Sequence, residues 1–311
     1  MIAVGGAFWD VLSSDSTYSS TMRFSTLLAL AAIGEWIAER AGTINISLEG
    51  MILTGAFTAA LGSHLTGNIW VGLLFGILGG LVVAIVQGVM SHRFGTNQFV
   101  VGLTLNVLAA GLTAFLDAQI SPQVTAAGKL KIPVLAEIPL VGTALFNQTW
   151  IQYFLYPLIP FAGWLVYRTR FGLEVRCVGE NPQAADVSGI DVNKRRRQAV
   201  YICGLFGGLA GAYFVLGQAG SFTPGMVSGR GFLALAAVIF GGWALKGAIG
   251  GALVFGAFQA ATSVFQALGY QANAQFLTAL PYLIALGTML VLAHRSRAPA
   301  ALSRPFVRGL T

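Results

Sequence analysis

Few residues in this sequence could do metal or nucleophilic chemistry, and they lie far apart. The histidines are His64, His92 and His294, and the cysteines are Cys177 and Cys203. A zinc site needs Cys or His pairs at short spacing, and a disulfide framework needs cysteines in larger number. The sequence therefore predicts no metal site, no disulfide framework and no catalytic residues.

Motifs that bind phosphate or hydrolyse a substrate are missing as well. There is no GxxxxGK[ST] loop, no GxSxG elbow, no HExxH pair and no dinucleotide fingerprint. We therefore expect a non-catalytic chain without a cofactor of its own. A membrane enzyme is a disfavoured alternative for the same reason.

The composition indicates where such a chain resides. Of the 311 residues, 56% are hydrophobic and only 9% are charged, whereas a soluble domain carries roughly 25% charged residues. So few charges could not cover the surface of a soluble globule of this size. The sequence predicts an all-α, polytopic integral membrane helix bundle.

Runs free of charged residues locate the membrane spans, because about 20 apolar residues cross the hydrocarbon core. They predict about eight to ten transmembrane helices within one domain, residues 23–294. The predicted segments are 23–39, 46–66, 69–91, 98–120, 150–168, 198–218, 231–244, 247–268 and 274–293. Residues 1–22 are expected to be an extracytoplasmic or interfacial segment, without the basic residues of a cleavable signal peptide.

The basic residues predict the orientation of the chain. With nine spans, fourteen of the 18 Lys and Arg residues fall on one side of the membrane. The other four are Arg23, Lys129, Lys131 and Arg230. Because Lys and Arg accumulate in cytoplasmic loops, we expect an outside N-terminus and a cytoplasmic tail, residues 295–311. The net charge of +7 then reflects topology, not binding of nucleic acid.

Rows of glycines and a weak internal sequence similarity bear on how the helices pack. Gly72, Gly76 and Gly80 form one row, and the pairs Gly204 with Gly208 and Gly247 with Gly251 form two more. Such rows let helices approach closely in lipid. Residues 46–91 and 229–262 resemble each other and start on opposite sides of the membrane, as expected of an inverted repeat. Chance similarity among Gly/Ala-rich helices explains this resemblance equally well.

One cytoplasmic loop, residues 169–197, carries a helix signal. Asn181 is a favourable N-cap, Pro182 suits the first helical position and Gly189 can end the helix in a left-handed conformation. A two-turn helix over 182–188 is predicted, whose Ala184 and Ala185 offer a surface that another protein can approach. A plain connecting loop with an interfacial helix remains the alternative.

Charged residues inside the predicted spans are scarce. The candidates are Glu35, Glu49 and Asp117. A proton-driven transporter needs ionisable groups near the membrane midplane, so their scarcity favours a conduit that another component drives. Candidate residues of a translocation pathway are Asn45, Glu49, Gln87, Asn106 and Gln259. For each, a hydrogen bond between helices is an alternative to substrate contact, and Glu49 also suits the start of its own helix.

Three motifs resemble one known family. Residues 34–51, GEWIAERAGTINISLEGM, resemble a signature of bacterial ABC-importer permeases. Residues 171–190 look like the same family's coupling region, and residues 229–241 give a third match. The superfamily is that of the ribose and branched-chain amino acid permeases. The NISLEG run is similar to the branch that imports nucleosides and simple sugars, on its nucleoside side.

The resemblance implies a function, a set of partners and a coupling site. It implies the permease subunit of an importer for nucleosides or related purine compounds in the bacterial inner membrane. The same machine importing a pentose or hexose, and a stand-alone secondary transporter or channel, are the alternatives. Implied partners are a second permease subunit (a related chain or a second copy), a cytoplasmic ATPase that binds ATP and Mg, and an extracytoplasmic binding protein. The residues implied to contact the ATPase are Gly179, Glu180, Asn181, Pro182, Ala184, Ala185, Asp186 and Gly189.

Overall fold

A computed structural model describes residues 14–133, 135–138, 141–267, 279, 282, 283, 286, 287 and 298–307. Nearly all regular structure in these residues is helical. The helices are α1 (Asp15–Arg40), α2 (Leu48–Thr66), α3 (Ile69–His92), α4 (Gln98–Ile120), α5 (Val141–Phe146), α6 (Leu155–Arg168), α7 (Arg170–Glu180), α8 (Pro182–Val187), α9 (Val192–Ala212), α10 (Arg230–Phe240) and α11 (Leu245–Ala267). A π-helical segment, Tyr213–Ala219, prolongs α9, and a 3₁₀ turn, Trp150–Phe154, leads into α6. A second 3₁₀ turn covers Leu135–Glu137.

Several helices are suited to a membrane. Within the described residues, four are long and apolar enough to cross one, namely Ile69–His92, Gln98–Ile120, Val192–Ala219 and Leu245–Phe265. α1 and α2 are also long, with 26 and 19 residues. α1 begins at Asp15, eight residues before the predicted span. The ninth predicted span, 274–293, lies largely outside the described residues.

The seventh predicted span is wrong as a span. Only Arg230–Phe240, 11 residues, is helical there, and 11 residues reach about 17 Å, roughly half of the hydrocarbon core. The segment before it, residues 220–229, is irregular and contains three glycines with positive φ, Gly220, Gly225 and Gly229. The crossing is therefore shared between an irregular segment and a half-helix.

α1 and α9 form the centre of the bundle and run antiparallel. α1 is buried without interruption from Ser25 to Glu39. The start of α9 lies beside the end of α1, since the Arg196 Nε donates to the Ala41 carbonyl at 3.2 Å. The far end of α9 lies beside the start of α1, since the Tyr213 hydroxyl donates to the Arg23 carbonyl at 3.3 Å. We call the end with Arg40 and Arg196 the basic end and the other the opposite end.

The glycine rows bring neighbouring helices into close contact, as predicted. A Cβ atom added to Gly80 of α3 would lie 2.5 Å from the Cα atom of Gly208 in α9. In the third row, a Cβ on Gly251 of α11 would lie 3.0 Å from the Cα atom of Ala237 in α10. Side chains at these positions would force the backbones apart, so the rows set the spacing of the helices.

A small β-hairpin covers the opposite end. Strand β1 (Lys129–Lys131) pairs antiparallel with β2 (Asn147–Thr149), with Leu130 opposite Gln148. Arg23 Nε donates to the Gln148 side-chain oxygen at 3.2 Å, which ties the hairpin to α1. Three of the four basic residues predicted to lie outside are therefore gathered at this end.

Candidate functional site

The chain between α1 and α2 turns back into the bundle. From the end of α1 it passes Thr43, whose hydroxyl is 2.9 Å from the His92 Nε2 at the basic end. It then rises to Asn45, whose side chain donates to the Cys203 sulfur at 3.2 Å. α2 begins beyond this point, with Met51 against Gly207 of α9. Gly207 lies ten residues, or about 15 Å, further along α9 than Arg197 at the basic end. α2 therefore starts near the middle of the bundle.

Side chains form hydrogen bonds with the backbone groups of this turn that have no partner within a helix. The Glu35 carboxylate accepts the Asn45 backbone N–H at 3.0 Å, and the Gln98 side chain accepts that of Ile44 at 3.2 Å. Asn106 of α4 accepts the Gly50 N–H at 2.8 Å and donates to the Ile46 carbonyl at 2.9 Å. Irregular backbone at membrane depth is tolerated only when its polar groups are bonded within the protein, and these contacts meet that need.

α10 begins at the same place from the other direction. The Glu49 carboxylate accepts the backbone N–H of Gly229 and of Gly231, both at 2.7 Å. Gly229 has φ +81°, which favours glycine. α10 then runs to the basic end, where the Trp36 indole donates to the Trp243 carbonyl at 2.8 Å. α2 runs to the opposite end, so the N-termini of α2 and α10 face each other.

We call this place the helix-break junction: residues 41–50 and 226–231 with the side chains of Glu35 and Asn106. The N-termini of α2 and α10 meet there, and each is the positive end of its helix dipole. Glu49 is the carboxylate that both share. The two segments enter from opposite ends of the bundle, the arrangement that the predicted inverted repeat requires.

Arg230 follows the second turn into the junction. Its guanidinium donates to the Met226 carbonyl at 2.6 Å and lies over the rings of Phe214 and Phe24, 4.8 and 5.8 Å from their centroids. The sequence places Arg230 among the outside basic residues. The structure packs it, half-buried, between α1 and α9, because aromatic faces stabilise a guanidinium away from water.

Four of the five predicted pathway residues lie in or beside the junction. Asn45, Glu49 and Asn106 belong to it, and Gln87 contacts it through α4, because its amide donates to the Gln98 carbonyl at 3.2 Å. Gln259 lies elsewhere, on α11 one turn beyond Gly256. Asn45 and Gln87 are fully buried, whereas Glu49 and Asn106 keep partial exposure. Every one of the four has a hydrogen-bond partner within the protein, and substrate contact by any of them stays a prediction.

Sequence reasoning missed the buried acid Glu39. Its carboxylate accepts the indole N–H of Trp243, which joins the end of α1 to the turn before α11. Glu35, one of the charged candidates inside the predicted spans, is fully buried and accepts from Cys203 of α9. Acidic residues inside a span are the signal for such sites. Asp117, in contrast, sits in the last turn of α4.

The predicted helix in the loop at the basic end is confirmed as α8. The Asn181 side chain caps it by accepting the Ala184 N–H at 3.0 Å, Pro182 opens it, and Gly189 follows it with φ +84°. Glu180 forms an ion pair with Arg40 of α1 at 3.9 Å. The flanking Gly179 packs against the Arg40 carbonyl.

The predicted surface of α8 is partly wrong. Ala184 is exposed, but Ala185 is buried at 4% exposure, in a cluster with Val178 and Val192. Val187 is the most exposed large apolar side chain in the described residues, at 90%. Because two turns of helix present different faces, the outward surface of α8 consists of Gln183, Ala184 and Val187. Asp186 lies half-buried at its edge.

The fold and these sites define a multi-pass helical membrane protein with two helices that begin at mid-depth and a capped loop helix at its basic end. Residues 17–293 match the family described as branched-chain amino acid transport system / permease component. That match covers most of the chain, and the chain belongs to this family of permease subunits.

Three curated relatives are similar over most of their length. The guanosine ABC transporter permease protein NupQ of Bacillus subtilis (strain 168) is 34% identical over 305 residues, 93% of this chain and 96% of the relative. The nucleoside ABC transporter permease protein NupC of Lactococcus lactis subsp. cremoris is 34% identical over 295 residues, 89% and 92%. The putative glucose ABC transporter permease protein TsgC13 of Haloferax volcanii is 37% identical over 247 residues, 78% and 75%.

Proposed function

We propose that this chain is the permease subunit of an ATP-driven importer for nucleosides or related purine compounds. The observation that carries the proposal is the match to two relatives named for guanosine and nucleoside transport along about nine tenths of the chain. The relative named for glucose matches a shorter part. Import of a sugar by the same machine is therefore the second candidate.

The geometry of the helix-break junction supports a translocation pathway that passes beside it. Glu49 and Asn106 keep partial exposure at the depth where α2 and α10 begin, although most polar atoms around them are bonded within the protein. Half-helix starts near the midplane are where membrane transporters place polar ligands. We expect a second permease subunit to face this surface and complete the pathway.

The partner set follows from the same proposal. A separate cytoplasmic ATPase binds ATP and Mg, and α8 is the coupling helix that it contacts. An extracytoplasmic binding protein delivers the substrate at the opposite end. ATP binding closes the ATPase pair, and α8 transmits that motion to the bundle, so that the pathway alternates between outward and inward access.

Uptake measurements test the machine and the cargo together. Cells that carry the complete transporter, with and without this chain, are given radiolabelled guanosine or glucose. We expect guanosine uptake that requires this chain and that stops when ATP is depleted while the proton gradient is kept. Glucose uptake alone would replace the substrate and keep the machine. Uptake that survives ATP depletion would contradict the ATP-driven class and favour a secondary transporter.

Thiol labelling tests the proposed orientation, with the basic end in the cytoplasm. Cys177 is exposed at the basic end and Cys203 is buried. A membrane-impermeant maleimide should label the chain in inverted vesicles and leave it unlabelled in right-side-out vesicles. Cys177→Ser is the matched control and should remain unlabelled in both kinds of vesicle, because only the buried Cys203 remains. Labelling of right-side-out vesicles would reverse the orientation.

A further inference from the structure

The chain near its C-terminus is built into the basic end of the bundle. Residues 298–307, which we call the C-terminal strap, cross the end of α1, α7, α8 and the start of α9. The Ser303 N–H donates to the Gly42 carbonyl at 3.0 Å and the Ala301 N–H to the Gly179 carbonyl at 2.9 Å. Ala301 is 3% exposed, so the middle of the strap is buried in the fold, whereas residues 298, 300, 304, 305 and 307 are exposed.

Arg196 of α9 is the centre of these contacts. Its side chain is fully buried, and its guanidinium donates to three backbone carbonyls. Nε donates to Ala41 at 3.2 Å, Nη1 to Arg304 at 2.6 Å and Nη2 to Ala301 at 3.4 Å. No carboxylate of the described residues forms an ion pair with it. A buried charge is costly unless its donors are satisfied, and here the strap supplies two of the three acceptors.

The strap also covers the inner face of α8. Phe306 packs on the cluster of Val178, Ala185 and Val192, and its carbonyl accepts the Asn193 side chain at 3.5 Å. α8 has six residues, too few to be stable as a helix without packing against the rest of the protein. Its position therefore depends on this cluster, and the strap provides the cluster's aromatic side chain.

Two prolines and one left-handed residue fix the path of the strap. Pro299 and Pro305 lie near its two ends, and Ser303 between them has φ +64°. Proline restricts the chain before folding as well as after it. The local sequence thus favours one ordered conformation for a segment that carries no regular secondary structure.

We propose that the C-terminal strap, with Arg196 as its positioning residue, locks α7, α8 and the start of α9 to the end of α1 so that they move as one body. The inference rests on the proposed function for its consequence. A push on α8 reaches the central helix α1 only if the loop does not yield, and the strap reinforces the direct contacts that Glu180 and Gly179 make with Arg40. Without it, ATP hydrolysis would continue while α8 moves alone.

The test uses the complete transporter in proteoliposomes, with radiolabelled guanosine as the probe. Truncation after Arg297 removes the strap, and truncation after Val307 is the matched control that keeps it. We expect the first to lower guanosine uptake at least tenfold while ATP hydrolysis stays within twofold of the unaltered transporter. The second should leave both unchanged. Unchanged uptake after removal of the strap would overturn the proposal.

Two point variants keep the proposal falsifiable if the truncated chain fails to assemble. Arg196→Lys keeps the charge but offers one ammonium where three carbonyls in a fork need to be reached, and Phe306→Ala removes the packing on α8. Each should lower the number of guanosine molecules imported per ATP hydrolysed severalfold. Equal losses of hydrolysis and uptake in both variants would overturn the positioning role.

Amide hydrogen exchange separates this proposal from the proposed function. In the purified transporter, both point variants should speed exchange of residues 178–190 at least tenfold and leave α3 unchanged. If the unaltered transporter imports neither guanosine nor glucose, the proposed function fails but this readout still decides the strap. Exchange of residues 178–190 at the original rate would show that the strap does not hold them.

Discussion

Replacing Glu49 with Leu should lower guanosine uptake at least tenfold and reduce the thermal stability of the transporter. The Glu49 carboxylate is the shared acceptor for the backbone N–H groups of Gly229 and Gly231. Leu provides no acceptor, and each buried donor left without a partner costs about 1–3 kcal/mol. The start of α10 would then lose the contact that holds it against α2.

Two further variants make the Glu49 prediction specific. Glu49→Gln keeps one acceptor oxygen and should give an intermediate loss, whereas Glu49→Asp is one methylene shorter and should not satisfy both donors. Glu137→Gln makes the same chemical change at an exposed position and should leave uptake and the melting temperature unchanged. Wild-type uptake and stability in the Glu49→Leu variant would show that the junction does not depend on this carboxylate.

The helical part of the fold follows well from the sequence. Charge-free runs located α3, α4 and α9, because a long apolar segment has few options other than a membrane helix. The capping residues Asn181 and Gly189 located α8 to within one residue at its end. These signals are local, and local signals are what a single sequence carries.

The irregular parts were not predictable in the same way. The turn at residues 41–47 depends on acceptor oxygens of Glu35 and Gln98 and on the Asn106 amide, which donates to the Ile46 carbonyl from 60 positions away along the chain. No hydropathy pattern distinguishes such a turn from a loop outside the membrane. For the same reason hydropathy predicts a complete span at 231–244, where a half-helix and a turn share the crossing.

The C-terminal strap and the face of α8 show a second limit. The strap is held largely by backbone groups, which every residue has, so its sequence carries little trace of the contacts. Ala184 and Ala185 are chemically identical neighbours, and only the surrounding cluster decides that Ala185 points inward. A helix of two turns is too short for its hydrophobic period to identify the buried face.

The exposure of α8 leads to the second prediction with a large effect. Val187→Arg should abolish guanosine uptake and release the ATPase from the purified complex, while the amount of this chain in the membrane stays normal. Val187 is 90% exposed, Ala184 beside it is also exposed, and neither supports the fold. An apolar side chain that exposed on a loop helix is expected to be covered by a partner. A charge buried there without an opposite charge costs roughly 3 kcal/mol, which is more than a hundredfold in affinity.

The choice of position decides what this experiment means. Ala185→Arg would insert a charge into the cluster with Val178 and Val192, so its loss of uptake would report misfolding as readily as lost coupling. Val187→Thr and Ala184→Ser keep the size of the side chains and add no charge, and they should retain uptake. If Val187→Arg imports guanosine normally with the ATPase bound, α8 is not the coupling helix, and the ATPase must contact another part of the basic end.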